Sequence, residues 1–398
     1  MLESKERAEN PNEAADRVGG LLAPKGARSL REGSPSGDGR GLRPRGYAME
    51  AALLVELGRF EIHDLNRLQP GRGELLVRVE ACGVCGSDVR IFRHGHPRIP
   101  LPQVLGHEIV GTVVETGGDA TGFAAGDRVA VMPKVPCGSC FYCYRGQGNL
   151  CSDGPSFGYQ LAGGFAEYVL VPKQAVVQGV VLPLPAALDV DEAVFIEPLA
   201  CCLRSQRNGR QAADESTVVI GGGPVGTIHG RLARYRGAAL VLLVEKSDGR
   251  LASADRNAFH AVIDSRQEDP AEAVRGHTEG RGADRVIVAC SSREAQTEAL
   301  AMVGKGGHVD LFSGLALAAE PIALDTNRLH YQEVTVRSTH GSTAEDCRQA
   351  LELVASGGLR LGDLVAGRYP LSRIQEAFHA LERRETGKVV LEPSEAGQ

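Results

Sequence analysis

Residues 218–226 read Val-Val-Ile-Gly-Gly-Gly-Pro-Val-Gly, a short apolar strand that continues into a glycine-rich turn. Gly221, Gly223 and Gly226 have the spacing G-x-G-x-x-G, and a helix is predicted to begin at about Val225. The first glycine permits a tight turn, the second lets the backbone approach a pyrophosphate, and the third lets the helix pack closely on the strand. Because glycine-rich turns are also common as plain connections, this motif alone leaves both interpretations open. The sequence around it favours a dinucleotide site, with the phosphates at the positive end of the helix.

An acidic residue stands where a dinucleotide site needs one. Glu245 ends the next apolar strand, residues 240–244, 19 residues after Gly226. A carboxylate there accepts hydrogen bonds from the adenosine ribose and repels a 2′-phosphate, which predicts NAD rather than NADP. The neighbouring Lys246 and Arg250 soften that repulsion. Arg250 is included among the predicted cofactor contacts, together with Val225 and the three glycines of the turn.

The pattern of apolar runs and of the glycine and proline residues between them divides the chain into two kinds of structure. Between residues 49 and 172, short β-rich runs are broken by glycine and proline, which indicates a small barrel. After Glu197, apolar strands alternate with helices, which indicates a parallel sheet covered on both faces. An amphipathic helix near residues 344–355 and a final strand at 388–391 are expected to return to the first part.

The first 48 residues differ from the rest in composition. They are rich in Arg, Gly, Pro, Glu and Ser and show no sustained helical or strand period. We expect residues 1–48 to form a disordered N-terminal extension, and Met49 to be either the true start or the first residue of the fold.

Composition excludes several classes of partner. The chain has 398 residues, 42% of them hydrophobic, and a formal net charge of -6. This balance gives no general attraction to nucleic acid or to an anionic membrane, and no apolar run is long enough to span a bilayer. We therefore expect a small-molecule ligand.

Four cysteines lie close together in sequence, with the spacing C-x2-C-x2-C-x7-C. Thiolates this close converge on one zinc ion at roughly 2.3 Å without straining the backbone. Four of them close the metal's coordination shell, so this zinc is predicted to be structural. Two disulfides are the alternative, but the chain has no apolar signal segment before it, which favours reduced thiols and a cytoplasmic location. The predicted ligands are Cys137, Cys140, Cys143 and Cys151.

A second candidate metal site begins upstream. Cys85 is followed, 22 residues later, by His107 and Glu108. A thiolate, an imidazole and a carboxylate supply three ligands and leave a position open, which is typical of a catalytic zinc. Taken singly, His107 or Glu108 is more often a structural histidine or a solvated acid.

From Met49 to Pro393 the chain resembles the zinc-dependent medium-chain alcohol and polyol dehydrogenases. The resemblance implies an α/β fold with a GroES-like β-barrel catalytic domain and a Rossmann cofactor domain, with two zinc ions and NAD. It implies a catalytic domain at residues 49–199 and 340–398, with the structural lobe at about 133–152, and a Rossmann domain at 200–339. The segments that carry the resemblance are Cys85-Gly86-Ser87-Asp88, Gly106-His107-Glu108-x-x-Gly111, the four-cysteine lobe, Gly221 to Gly226, and Ile196-Glu197-Pro198-Leu199-Ala200.

The resemblance also assigns roles within the reactive site. Glu197 matches the Glu-Pro of members similar to sorbitol (L-iditol) dehydrogenase and is expected to bind zinc weakly or through water, although it could instead cap a helix. Ser87 is implied to take the alcohol proton, and Asp88 to orient His107. Relatives carry a relay histidine where this chain has Arg90, so the outer proton route is left open to His94, His96 or water.

The implied reaction is hydride transfer between a secondary alcohol and NAD, with zinc as Lewis acid. The segment at residues 336–342 lacks the Arg-Tyr pair of sorbitol-type enzymes, so a polyol, cyclitol or small diol is expected rather than sorbitol itself. Two alternatives remain: a threonine-type dehydrogenase and a non-catalytic dinucleotide-binding regulator. The resemblance further implies a homo-oligomer, dimer or tetramer, with a strand near Leu311 extending a sheet across a two-fold axis.

Overall fold

The computed structural model describes residues 48–209, 212–316, 319–382 and 387–393. The predicted disordered extension therefore lies outside the described residues, apart from Ala48, which begins the first strand. Within the described ranges, no helix is long and apolar enough to cross a membrane.

The first part of the chain is rich in strands, as its broken β pattern predicts. Its helices are short, and a 3₁₀ turn follows the second of them at Gly148–Leu150. The strands are β1 (Ala48–Glu56), β2 (Arg59–Asn66), β3 (Leu75–Gly83), β4 (Gln103–Val104), β5 (Glu108–Thr116), β6 (Arg128–Val131), β7 (Tyr168–Val171) and β8 (Val181–Pro183), and the helices are α1 (Gly86–His94), α2 (Phe141–Tyr144), α3 (Lys173–Val177) and α4 (Val190–Ala193).

From residue 196 onward, strands and helices alternate. Two further 3₁₀ turns lie at Gly362–Leu364 and Leu371–Arg373. The helices are α5 (Ile196–Asn208), α6 (Pro224–Tyr235), α7 (Asp248–Ala252), α8 (Pro270–His277), α9 (Arg293–Met302), α10 (Thr326–Tyr331), α11 (Ala344–Ala355) and α12 (Ile374–Glu382), and the strands are β9 (Ser216–Ile220), β10 (Leu240–Glu245), β11 (Ala261–Asp264), β12 (Ala283–Val288), β13 (Val303–Leu311), β14 (Thr335–Ser338), β15 (Val365–Pro370) and β16 (Lys388–Glu392).

Six of these strands form a parallel sheet in the order β11-β10-β9-β12-β13-β14. Both faces of its strands are apolar: Val218 and Ile220 of β9 pack into one core, and Val219 between them packs into another. Such strands need cover on both sides, which the alternating helices provide. The chain runs outward from β9 in one direction and from β12 in the other. The crevice between the ends of β9 and β12 is therefore the switch point at which parallel sheets bind ligands.

The remaining sheets contain the first part of the chain together with its last strands. One has the order β2-β1-β4, and the other has the order β15-β16-β3-β5-β6-β8, with β7 also paired to β3. The predicted return of the C-terminal segment is confirmed, because β16 pairs antiparallel with β3 and sets Val390 opposite Gly83. The domain limits given above stay a prediction.

The strand that ends at Leu311 is not an edge strand within the chain, and the predicted extension of a sheet across a two-fold axis stays a prediction. Strand β13 ends at Leu311 and pairs with β12 on one side and with β14 on the other. One edge of the parallel sheet is β14, whose Thr-Val-Arg-Ser sequence contains a single apolar residue, and the other edge is β11. The composition of β14 gave no strand signal, so this strand was missed from the sequence.

A buried charge cluster joins α5 to α11. Asp346 is fully buried. It accepts a hydrogen bond from Arg204 at 3.2 Å and lies 2.5 Å from Arg207. Thr343 and Asp346 also form a reciprocal cap at the start of α11. Since removal of one partner of a buried pair is costly, this cluster holds α5 in a fixed position, and α5 carries Glu197 in its first turn.

Candidate functional site

Cys85, His107 and Glu108 converge in the structure. The metal-binding atoms of these three side chains all lie within 4.8 Å of one another. Cys85 precedes α1, and Glu108 begins β5 opposite Gly83 of β3. Gly106 adopts a φ of 91°, which glycine tolerates best, and this turns the chain so that His107 and Glu108 enter the cluster.

His107 is oriented by Asp88. The Nδ1 atom of His107 lies 3.2 Å from Oδ1 of Asp88, which is fully buried. The other carboxylate oxygen of Asp88 accepts a hydrogen bond of 2.9 Å from the backbone of Cys85. Burial lowers the pKa of His107, but Asp88 and Cys85 raise it overall. The proximity of Asp88 to Nδ1 leaves Nε2 as the nitrogen available to a metal, the arrangement that a carboxylate favours in a ligand histidine.

The hydroxyl of Ser87 lies at the same centre. Its Oγ is 3.4 Å from His107 Nε2. Burial raises the pKa of the neighbouring Tyr159. The ring of Tyr159 is 6.1 Å from that of His107 and 5.5 Å from that of His96, centroid to centroid. Tyr159 was missed by sequence reasoning because it stands alone in a glycine-rich loop.

Lys388 is a second residue that the sequence did not reveal. This lysine is 4% exposed, and its Nζ forms an ion pair with Oε2 of Glu108. Burial lowers the pKa of Lys388, but the carboxylate of Glu108 raises it overall. Gly83 leaves the space for this pair, since a Cβ there would lie 1.9 Å from Glu108 Oε2. In sequence, Lys388 is merely the polar first residue of an apolar strand.

Glu197 lies near the cluster but is not one of the side chains that share the 4.8 Å limit. It is 7% exposed and accepts a hydrogen bond from Cys201 at 3.4 Å. Burial raises the pKa of Glu197, whereas His107 lowers it. The N-terminus of α5 has no side-chain cap, so the capping alternative gains no support.

The donor set at this centre fits a zinc ion. Oε1 of Glu108 is buried and has no hydrogen-bond partner within the described residues. An ionised oxygen in that condition is costly unless a cation faces it. Sulfur, imidazole nitrogen and carboxylate oxygen together suit zinc with one position left open.

The four-cysteine lobe fits a second zinc ion. The Cys137 and Cys143 sulfurs are 3.8 Å apart, Cys140 and Cys143 are 3.5 Å apart, and Cys140 and Cys151 are 3.8 Å apart. Four sulfurs at about 2.3 Å from a tetrahedral zinc lie about 3.8 Å from each other. A disulfide would require about 2.05 Å, so the alternative of two disulfides is not what the structure contains.

The glycine turn has the close contacts that its spacing predicts. Gly221 adopts a φ of 104° directly after β9. A Cβ on Gly226 would lie 1.8 Å from the carbonyl oxygen of Gly221. Gly223 precedes α6, which begins at Pro224 rather than at Val225. The turn and the N-terminus of α6 thus bring together backbone groups suited to phosphate.

Glu245 is held against this turn. Its Oε2 accepts a hydrogen bond of 2.7 Å from the backbone of Gly222, and its Oε1 accepts bonds from Lys246 and Ser247 at 2.7 and 2.9 Å. Arg250 lies 3.8 Å from Glu245 Oε2. The predicted acid is therefore in place beside the turn, and the predicted arginine is next to it.

Comparisons with known proteins agree with both halves of the fold. Residues 71–186 match the alcohol dehydrogenase GroES-like domain, and residues 224–356 match the zinc-binding dehydrogenase domain. An L-threonine 3-dehydrogenase from Bacillus velezensis is 33% identical, covering 86% of this chain and 97% of its own. A sorbitol dehydrogenase from Halalkalibacterium halodurans is 31% identical, covering 84% of this chain and 96% of its own.

Solved structures share the fold of this chain. An alcohol dehydrogenase from Thermus sp. ATN1 superposes with a TM-score of 0.79 at 30% identity, covering 87% of this chain and all of that one. A protein assigned as a zinc-binding dehydrogenase from Sinorhizobium meliloti, solved with NADP, has a TM-score of 0.80 at 30% identity, with 87% and 99% coverage. The predicted fold class, a GroES-like barrel with a Rossmann domain, is confirmed.

Replacement of one lobe cysteine should separate the two metal sites. We expect Cys137→Ser to lose one zinc per chain and to lower the Tm by about 10 °C, because a structural zinc contributes directly to folding. Metal analysis and thermal unfolding measure these effects. Cys290→Ser, which alters a cysteine outside both clusters, should retain both ions, and a Cys137→Ser protein with full metal content would contradict the assignment.

Removal of the buried lysine should affect the metal-free protein most. Lys388→Met leaves Glu108 as an uncompensated buried charge, which costs about 3–5 kcal/mol. We expect a Tm loss of roughly 10 °C without metal and a smaller loss with zinc bound, because zinc also offsets the charge of Glu108. Lys305→Met, at an exposed position, is the control. Equal losses in the two forms would show that Lys388 does not balance Glu108.

Proposed function

The chain belongs to the zinc-dependent medium-chain alcohol dehydrogenase family, and from this membership we propose that it transfers a hydride between a secondary alcohol and NAD. The observation that carries the proposal is the convergence of Cys85, His107 and Glu108. A set with only three protein ligands leaves a position for substrate, unlike the closed four-cysteine set.

The chain's own residues have distinct tasks in this reaction. A zinc ion held by Cys85, His107 and Glu108 would act as Lewis acid on the alcohol, and a bound nicotinamide would accept the hydride. Asp88 fixes the His107 ring through Nδ1. We assign to Ser87 Oγ the task of accepting the alcohol proton, because it lies within 3.4 Å of the ligand nitrogen of His107.

A route for that proton is supported by the neighbours of Ser87. Tyr159 lies between the reactive centre and His96: its ring centroid is 6.1 Å from that of His107 and 5.5 Å from that of His96. His96 is only partly buried, so it connects the centre to solvent. Of the groups left open above, His96 is therefore preferred to His94 as the outer relay.

We propose NAD as the cofactor, in line with the position of Glu245. Its carboxylate stands at the end of β10, where the adenosine ribose is recognised in parallel sheets of this order. Arg250 nearby favours some tolerance of NADP, and a relative of 30% identity was solved with NADP.

The proposed substrate is a polyol, cyclitol or small diol, and the sorbitol dehydrogenase relative supports it. A threonine-type dehydrogenase is the second candidate, favoured by the L-threonine 3-dehydrogenase relative. A non-catalytic regulator is disfavoured, because a regulator has no need of an open metal site.

We further propose that the protein is a cytoplasmic homo-oligomer, without nucleic-acid or membrane partners. Ten free cysteines support a reducing location. The strand β14, which forms one edge of the parallel sheet, offers unpaired backbone groups to a second copy.

A substrate panel on metal-quantified protein tests the proposed activity. We expect NADH formation with vicinal diols, cyclitols or polyols, and a smaller kcat/KM with L-threonine. Cys85→Ala should keep the structural zinc and the fold while kcat falls at least about a thousandfold, because a Lewis acid supplies several kcal/mol to this reaction. Failure of every alcohol to reduce NAD at full metal content would favour the regulator instead.

The cofactor preference is tested at Glu245 and Arg250. We expect kcat/KM to be at least about tenfold higher with NAD than with NADP, since a carboxylate repels the 2′-phosphate. Glu245→Gln should narrow this ratio while keeping an acceptor for the Gly222 backbone, and Arg250→Ala should widen it. A wild-type preference for NADP would overturn the assignment of Glu245.

A further inference from the structure

One arginine of the catalytic part reaches the nucleotide crevice. Nη2 of Arg90 donates a hydrogen bond of 3.3 Å to Oγ of Ser291. Ser291 follows β12 by three residues, while Arg90 lies on α1, beside the candidate zinc ligands. The contact therefore joins helix α1, in the strand-rich first part of the chain, to the loop that follows β12 of the parallel sheet.

The location of Ser291 is the switch point of the parallel sheet. Val288 at the end of β12 pairs with Ile220 at the end of β9. The residues that follow β12 remain close to the glycine turn, because a Cβ on Gly221 would lie 3.0 Å from Cys290 Cβ. The guanidinium of Arg90 thus stands at the crevice in which parallel sheets of this topology bind dinucleotides.

Arg90 has no anionic partner there. Among the described residues it forms no ion pair, and its side-chain bond goes to the neutral hydroxyl of Ser291. Arg93, one turn further along α1, is instead bonded to Glu382 at 2.5 Å. Two arginines on one helix therefore differ: one is neutralised within the protein, and the other presents its charge to the crevice.

We propose that Arg90 binds the pyrophosphate of the dinucleotide, with the phosphate oxygens taking the place of the Ser291 hydroxyl. This inference rests on the proposed function, since it assumes a dinucleotide at the glycine turn. A guanidinium stays protonated and offers paired donors that match phosphate geometry, so it is suited to clamp an anion and unsuited to relay a proton. Arg90 stands where relatives carry a relay histidine, so at this position phosphate binding replaces proton relay.

We call this binding of the pyrophosphate by Arg90 the clamp. It also explains how the cofactor and the reactive centre are brought together. Arg90 is three residues after Ser87, so the two side chains lie on the same face of α1. A phosphate held by both Arg90 and the α6 N-terminus would connect the two parts of the protein. The connection fixes the distance from the cofactor to Ser87.

Equilibrium binding tests the clamp without turnover. NADH fluorescence gives the Kd of NADH, and competition gives those of ADP-ribose and adenosine. We expect Arg90→Gln to weaken NADH and ADP-ribose by a similar factor, about tenfold or more, because charge-assisted hydrogen bonds are lost. Adenosine, which has no phosphate, should bind both proteins equally. Added salt should weaken the wild type more than the variant.

Arg93→Gln is the matched control, because it removes the same charge from the same helix and should leave all three affinities unchanged. Ser291→Ala should keep or improve NADH affinity, since it removes only the competing partner. The clamp is refuted by an unchanged Kd in Arg90→Gln, by a loss with NADH but not ADP-ribose, or by an equal loss with adenosine. If the wild type binds no NADH at all, the proposed function fails together with the clamp.

Discussion

The buried ion pair between Lys388 and Glu108 is the constraint on which the reactive centre depends. Glu108 lies inside the protein with one oxygen on Lys388 and the other without a described partner. A buried carboxylate is costly unless it is paired with a cation or well hydrogen-bonded, so the fold must supply a partner there. It does so with the last strand of the chain, which crosses to β3 after the whole parallel sheet has been completed. The pairing of β16 with β3 therefore also places Lys388 at the metal centre.

The sequence predicted well whatever depends on local spacing. Four cysteines in one loop, or three glycines in one turn, have their geometry restricted by the few residues between them. The sulfurs of Cys140 and Cys143 accordingly meet at 3.5 Å, and Gly226 leaves room for the Gly221 carbonyl. Helix α11 begins and ends where its apolar period predicts. Cys85 and His107 are further apart in sequence, so their residue types suggested a shared metal ion, and the resemblance of the whole chain to a family supported their meeting.

Contacts between distant side chains gave no such signal. Lys388 and Glu108 are separated by most of the chain, and nothing in a Lys-Val-Val-Leu strand indicates which acid the lysine will face. Tyr159 likewise contacts His107 through a loop that carries no periodic pattern. The edge strand β14 was missed for the opposite reason, because its polar sequence conceals a real strand. Strand propensity predicts an edge strand poorly when one face of the strand is exposed and the strand contributes little to the core.

Lys388 also changes the charge argument about Glu197. From the sequence, Cys85 and Glu108 already neutralise a zinc ion, so a third anion at Glu197 implied an unfavourable negative charge and a displaced carboxylate. The structure adds one positive charge at Lys388, and a bound zinc ion together with this lysine would balance three anions. Net charge alone therefore does not disfavour Glu197 as a zinc ligand. The position of Glu197 follows from α5 instead: Arg204 pairs this helix with Asp346, and Cys201 on the same helix donates a hydrogen bond to one oxygen of Glu197. With the helix held in this way, Glu197 lies outside the group of three side chains that share the 4.8 Å limit.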